Sequence, residues 1–261
     1  MTIRTLLCTA AAALCTAAQA SEPSYDRAID SCLTCLAQGD TARFERLCAD
    51  LPDLYEEHVD PASTALRRQL VALRNRDQGI RLLLLEAMRR SGDDSSLVDT
   101  LRGRMRRIDR DNALRVRQII DRHGWPGREE VGEEANEALF LCLQHVDDTI
   151  VQEKYLPVLR QAVAEGRAEG WHLAFLTDRI RMNRGEKQIY GTQTVTRGGQ
   201  LDYVVPIEEP ERVDSLRRSI GLEPMARYLD GAWDLERYLR ELPEIERKYA
   251  QYVARRRNAT R

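Results

Sequence analysis

The sequence predicts a mainly α protein: a multi-helix domain carrying one antiparallel β-hairpin, preceded by an N-terminal helical hairpin. Three observations predict it. Arg, Glu, Leu and Ala are abundant and only 6% of residues are aromatic, a composition of strong helix formers. Apolar residues recur at helical spacing along most of the chain. The period changes to two in one stretch alone, on either side of Gly198-Gly199.

The elements follow in order. Residues 1–20 read as a secretory signal peptide: Arg4 supplies the positive start, Leu6 to Ala17 the apolar stretch, and Ala18-Gln19-Ala20 an A-x-A site cleaved after Ala20. The stretch is too short and alanine-rich for a membrane span, and no other segment is apolar enough to cross a bilayer. Neither Cys8 nor Cys15 follows the small residues of a lipoprotein signal. The expectation is a soluble periplasmic or secreted product. Residues 21–60 read as a helical hairpin turning at Gly39-Asp40, with Leu33, Leu36, Phe44, Leu47, Leu51 and Leu54 on its apolar faces. Cys32 and Cys48 lie equally far from that turn, and an oxidising compartment predicts a disulfide between them. Cys35 and Cys142 are then free or paired with each other.

Residues 61–229 form the expected main domain. Pro61 suits a first helical position. A stripe through Leu66, Leu70, Leu73, Ile80, Leu84 and Met88 precedes a break at Gly92 to Ser96, where Ser95 or Ser96 can cap the next helix. A second stripe follows through Leu101, Met105, Ile108, Val116 and Ile119, closed by Gly124-Trp125-Pro126-Gly127. A helix from about Gly132 to His145 is apolar all round at Ala138 to Leu143, so it should be covered on most sides. Asp147 or Asp148 can cap a helix over Thr149 to Glu165, in which Pro157 predicts a kink or restart. A helix from about Trp171 stops at Gly185.

The β-hairpin is expected over residues 187–207, with strands Lys187 to Val195 and Leu201 to Ile207. A two-residue Gly-Gly loop would set Val195 beside Asp202 and mix the faces. A three-residue loop, Gly198 to Gln200, gives one apolar face and is preferred. That register puts Gln193 on the inner face and Tyr190 on the other. Pro210, Gly221, Pro224 and Pro243 punctuate a helical remainder. Residues 230–261 are expected as a separate C-terminal segment ending in a fraying basic tail from Tyr249.

Seven short motifs occur in order: DRDN (Asp109 to Asn112), GWPG (Gly124 to Gly127), QHVDD (Gln144 to Asp148), LTDR (Leu176 to Arg179), YGTQ (Tyr190 to Gln193), VPI (Val205 to Ile207) and IGL (Ile220 to Leu222). Together, over roughly Leu73 to Tyr228, they resemble a bacterial family of uncharacterised domains with QHxD and YGTQ motifs. The resemblance implies no activity and carries over no catalytic residue. The cysteine-bearing hairpin and the basic tail lie outside it.

Candidate chemistry comes from polar groups set against apolar runs. Asp77 and Asn112 each interrupt the middle of a helical stripe, at equal height in the hairpin their helices form. Burying a carboxylate and an amide needs partners. Either they bond each other and fix helix register, or both line a pocket. His145 can act as acid or base near neutral pH, oriented by Asp147 or Asp148. Equally, it could end a buried helix on a carbonyl. Asp178-Arg179 is either a surface pair or has at most one member facing inward, with Arg179 a candidate buried partner for a carboxylate such as Asp77. Gln144, Gln188, Tyr190 and Gln193 complete the candidate ligand-binding set, while His145, Asp147 and Asp178 form the candidate catalytic set.

Several classes find no support. Cys32-x-x-Cys35 with Cys142-x-x-His145 has zinc-ligand types, but the pairs are distant in sequence and secreted cysteines oxidise. A set of His145, Asp147 and Asp178 is the other option; no metal and no cofactor is expected. The net charge of −2 implies no general attraction to nucleic acid. The arginines at 102, 104, 106, 107, 110, 115, 117 and 122 alternate with aspartates and read as a solvated, ion-paired face rather than an anion-binding one. No Gly-rich phosphate loop, G-x-S-x-G or H-E-x-x-H is present. The sequence therefore points to an exported binding or interaction module for a small polar ligand or peptide. A hydrolase-like enzyme using His145 with an acidic partner is the alternative, and a purely structural role the third reading.

Overall fold

Side-chain caps or left-handed glycines set several of the helix boundaries. In the computed structural model, residues 25–92, 95–197 and 200–259 are described. The expected signal peptide and the Gly198-Gly199 turn lie outside them. The described residues hold eleven α-helices and one two-stranded sheet, a mainly α architecture. They divide into two compact units that meet in sequence at Leu66 and Arg67.

The first unit contains the N-terminal hairpin, α1 (Tyr25–Gln38) and α2 (Thr41–Val59). Gly39 takes a left-handed φ of 71°, and the Asp40 carboxylate then accepts the Arg43 N–H at 3.2 Å, capping α2. The hairpin sets the Cys32 thiol beside that of Cys48, but all four described cysteines are free and the expected disulfide is not formed. Burial, followed by the hydrogen bond and charge of Cys48, pushes the Cys32 thiol's pKa up. A protonated thiol is a poor nucleophile for disulfide exchange.

The second unit begins within α3 (Pro61–Ser91) and continues through α4 (Ser96–His123), a short α5 (Arg128–Val131), α6 (Glu133–Gln144), α7 (Thr149–Ala164) and α8 (Gly170–Arg184). Ser95 caps α4 by accepting the Val98 N–H, and Asp148 caps α7 by accepting the Ile150 N–H at 2.9 Å. Gly185, left-handed at φ 80°, closes α8. Ile80 and Ala87 of α3 pack on Val98 and Leu101 of α4. As its all-round apolar pattern predicts, α6 is the central helix: Ala138, Leu139, Phe140, Cys142 and Leu143 are buried, against α4 on one side and α8 on the other.

The hairpin departs from expectation in two ways. Its strands are short, β1 (Thr194–Arg197) and β2 (Gln200–Val204), and Arg197 pairs with Gln200. Two residues therefore separate the paired strand ends, one fewer than expected. An irregularity between Val195 and Thr196 restores the pairing of Val195 with Tyr203, so the apolar face survives by a β-bulge and not by a longer loop. Residues 187–193, expected as strand, are instead a loop with one isolated bridge, from Gln188 to Ile207.

A 3-10 turn (Pro210–Arg212), α9 (Val213–Ser219), α10 (Met225–Tyr228) and α11 (Leu235–Ala259) complete the unit. The C-terminal stretch is helical to Ala259 and belongs to the second unit. Asp234 caps α11 by accepting the Arg237 N–H at 2.7 Å. Tyr238, Ile245 and Tyr249 are buried with Tyr203, Val205, Ile207 and Met225 in one core cluster. That burial carries the helix through Pro243, and α7 likewise runs through Pro157.

Candidate functional site

Asp77 lies in the middle of the buried face of α3, and its side chain is 0% exposed. A carboxylate there must be matched by donors. Three side chains supply them. His145 Nδ1 sits 3.0 Å from both carboxylate oxygens, so the ring donates from Nδ1 to an acceptor-only group. Arg81, one turn along the same helix, donates from Nη1 to Oδ1 at 3.1 Å and to the Asp77 carbonyl at 2.9 Å. Gln78 donates to Oδ2 at 2.7 Å. The other arm of Arg81 reaches Asp109 on α4 at 2.9 Å, which ties the two helices together. Burial pushes the Asp109 carboxyl up, and Arg81 pulls it back toward ionisation.

His145 is the residue that ends α6, its N–H donating to the Leu141 carbonyl at 3.0 Å. The turn beyond it is stapled from α7. Buried Gln152 donates to the carbonyls of Leu143, Gln144 and Val146 at 3.1–3.3 Å and accepts from Asn183 of α8 at 3.2 Å. With Nδ1 committed to Asp77, the ring keeps Nε2 without a partner among the described residues. The side chain is 21% exposed and lines a cleft of about 270 Å³.

That cleft is walled by α3, α4, the end of α6 with the turn after it, α8 and α11. Five arginines line it (Arg81, Arg106, Arg110, Arg179 and Arg256) against two aspartates, Asp109 and Asp147. Arg81 and Asp109 hold each other, and Arg256 bonds Asn183 at 2.7 Å and reaches Asp147 at 3.5 Å. Arg179 differs. Its Nε is buried and has no hydrogen-bond partner, and no carboxylate meets it among the described residues. Burial pushes its pKa down; Tyr252 opposes this, the cations Arg256 and Arg81 add to it, and Tyr228 opposes it least. An arginine stays charged regardless, so the half-buried guanidinium keeps its charge with Nε unsatisfied. The amide oxygen of Gln144, buried beside the cleft, is also unpartnered.

The expected residues separate into two groups. Asp77, Gln144, His145 and Arg179 belong to the cleft or its floor. Asn112 is buried on α4 and donates to the Leu73 carbonyl of α3 at 3.3 Å, one turn before Asp77. It holds α3 to α4 and does not pair with Asp77 or line the cleft. Arg179 is not the partner of Asp77; Arg81 at i+4 takes that place. Asp147 lines the rim, 77% exposed, and makes no bond to His145.

Asp178 points elsewhere. Its carboxylate accepts the backbone N–H groups of Ile189, Tyr190 and Thr192 and the Thr192 hydroxyl at 2.8–3.1 Å. Burial pushes its pKa up and those donors pull it down. Gln188 completes the same loop, donating to the Gln193 and Val205 carbonyls and accepting the Gln193 N–H. Asp178, Gln188, Tyr190 and Gln193 are therefore a buried buttress, outside the cleft. Arg217, fully buried, braces it by donating to the Tyr190 carbonyl at 2.7 Å while its guanidinium lies 4.6 Å over the Tyr228 ring.

The sequence reading missed Arg81, Asp109, Gln152 and Arg217. For Arg81 a signal existed, an acid–base pair at i,i+4 on one helix. A larger depression of about 440 Å³ beside Trp171 and His172 is less suited to charge recognition, because its arginines and glutamates neutralise each other in the pairs Arg74–Glu137 and Arg128–Glu169. Among the described residues no group of three or more His, Cys, Asp or Glu is placed to hold a metal ion.

A family model matches residues 64–237, two-thirds of the chain. The chain belongs to the family of unknown function DUF6624. The DUF6624 segment contains Asp77, Arg81, Asp109, His145 and Arg179, while the cysteine hairpin and most of α11, including Arg256, fall outside it. No curated protein and no solved structure matches the chain.

Proposed function

We propose that the cleft beside His145 binds a small polar ligand, and that the protein is an exported binding module. The observation that carries this reading is the Asp77–His145 pair. A fully buried carboxylate fixes the ring through Nδ1 and leaves Nε2 as the free nitrogen of a residue lining a cleft. The volume suits a molecule of amino-acid or short-peptide size. The A-x-A sequence at Ala18 to Ala20 supports export to the periplasm or medium.

The same pair favours a second reading, a hydrolase-like enzyme. Among the described residues no Ser, Thr or Cys lines the cleft, and the nucleophile in this reading is water. Nε2 takes a proton from that water as its oxygen attacks, and Asp77 stabilises the imidazolium that forms. The proton then passes to the leaving group.

Thermal-shift screening of small polar compounds and short peptides against wild type and His145→Ala tests binding. Hits that raise the melting temperature of wild type alone support the site. Hits that act equally on both proteins remove His145 from it. Turnover of ester, amide or phosphoester substrates by wild type, lost in His145→Ala, selects the enzyme.

A further inference from the structure

We infer that the ligand of this cleft carries an oxyanion, a carboxylate or a phosphate, which docks on the unpaired guanidinium of Arg179. The inference rests on the reading of the cleft as a ligand site and names the chemical class that fits it.

Three observations carry it. First, the cationic groups outnumber the anionic ones in a cleft small enough for all of them to act on one molecule. Second, the imbalance is not spread evenly. Asp109 is neutralised by Arg81 and Asp147 is taken up by Arg256. Arg179, Arg106 and Arg110 have no carboxylate partner among the described residues. For Arg106 and Arg110, on the exposed side of α4, water serves. Arg179 is half-buried, and its Nε is cut off from solvent and bonded to nothing. Guanidinium forks match carboxylate and phosphate oxygens two bonds at a time, so an oxyanion in the cleft is the missing partner. Third, the neighbouring acid is already engaged. Asp77, the nearest candidate for Arg179 by sequence reasoning, is saturated by His145, Arg81 and Gln78. The fold therefore keeps Arg179 unneutralised.

The geometry also orders the ligand. His145 Nε2 offers one hydrogen-bonding position and the buried Gln144 amide oxygen offers an acceptor. The ligand fitting all three has an anionic end for Arg179, a donor for Gln144, and a polar group for Nε2.

The test is a titration of the full-length mature protein with inorganic phosphate, succinate, trialanine and trialanine amide, at ionic strength held constant with sodium chloride. Melting temperature is read for wild type, Arg179→Met, His145→Gln and, as a surface control, Arg104→Met. At ten times its dissociation constant an oxyanion raises the melting temperature of wild type by about 3–5 °C. Arg104→Met behaves as wild type. Arg179→Met loses the response and, without added anion, melts no lower than wild type, because it removes an uncompensated charge. Trialanine acting where its amide does not assigns the anion to a peptide C-terminus; phosphate or succinate acting alone assigns it to a small acid. Absence of response to every oxyanion overturns the inference, as does an undiminished response in Arg179→Met or equal binding of acid and amide. The His145→Gln arm judges the underlying reading separately. A response lost in Arg179→Met but unchanged in His145→Gln keeps the anion site and removes His145 from ligand contact.

Discussion

Replacing Asp77 by alanine removes the acceptor of His145, Arg81 and Gln78 in one step. Each hydrogen bond to a charged group contributes about 1.5–3 kcal/mol, and stripping one partner from a buried ion pair costs about 3–5 kcal/mol. Two features lower the sum here. Arg81 keeps Asp109 at 2.9 Å, and its side chain is 22% exposed, so a second carboxylate and water share its charge. His145 also reaches solvent through the cleft. The expected loss is about 3 kcal/mol, or a fall of about 6–12 °C in melting temperature for a unit of this size. Urea denaturation of Asp77→Ala, His145→Ala and the double variant gives the coupling between the two groups. It should be about 1–2 kcal/mol. Asp77→Ala combined with Asp121→Ala should be additive within about 0.5 kcal/mol, because Asp121 bonds Lys154 and Tyr155 and shares no partner with Asp77. A loss below about 0.5 kcal/mol for Asp77→Ala, or zero coupling to His145, would refute the clamp.

Four further outcomes are expected. Asp178→Ala leaves three loop N–H groups without their acceptor, so it should cost about 3 kcal/mol or more, and hydrogen exchange should show Ile189, Tyr190 and Thr192 deprotected while α4 is not. Burial holds the His172 imidazole at a pKa of about 3, below its ordinary 6.5, so the folded state keeps it neutral; the stability this contributes is present above pH 6.5 and lost as pH falls toward 3. Between pH 8 and pH 5 that group alone should remove about 2 kcal/mol, and His172→Phe, which preserves the stacking on Phe140, should flatten this part of the stability–pH curve. Gly191→Ala should destabilise the protein by more than about 1 kcal/mol in a denaturation melt, because φ is 69° and the new Cβ would meet the Met225 sulfur at 2.7 Å. Mass spectrometry of exported protein should find Ser21 at the N-terminus, and full-length cytoplasmic protein would contradict export.

Local rules made most of the fold legible, and tertiary capture accounts for the rest. Helical stripes located α3, α4 and α6, and Ser95, Asp148 and Gly185 cap where short-range chemistry says they should. The polar interruption at Asp77 marked the floor of the cleft, since a carboxylate on an apolar face must find donors. Its partner was harder to see: His145 lies 68 residues away, and no periodicity reports such a pairing. The loop at 187–193 alternates like a strand, yet Asp178 captures the N–H groups a neighbouring strand would have taken. Position-by-position pattern likewise could not place the bulge at Val195, because a one-residue slip looks the same in sequence. Pro243 and the basic run beyond it suggested a frayed end. The tyrosines at 238, 249 and 252 fall on one helical face and were the contrary signal. The arginine-rich face of α4 looked self-neutralised because aspartates alternate with it; in three dimensions Asp109 turns inward to Arg81, and Arg106 and Arg110 are left facing the cleft.

The central assignment is a ligand cleft defined by His145 and Arg179. Its most direct measurement is side-chain nitrogen NMR of ¹⁵N-labelled protein titrated with the oxyanion that gives the largest thermal shift. The Arg179 Nε–Hε resonance and the His145 Nε2 resonance should move together, along one saturation curve, while the Arg217 Nε–Hε in the buried buttress stays still. Movement of neither resonance on saturation, or equal movement of arginines all over the surface, would contradict the assignment.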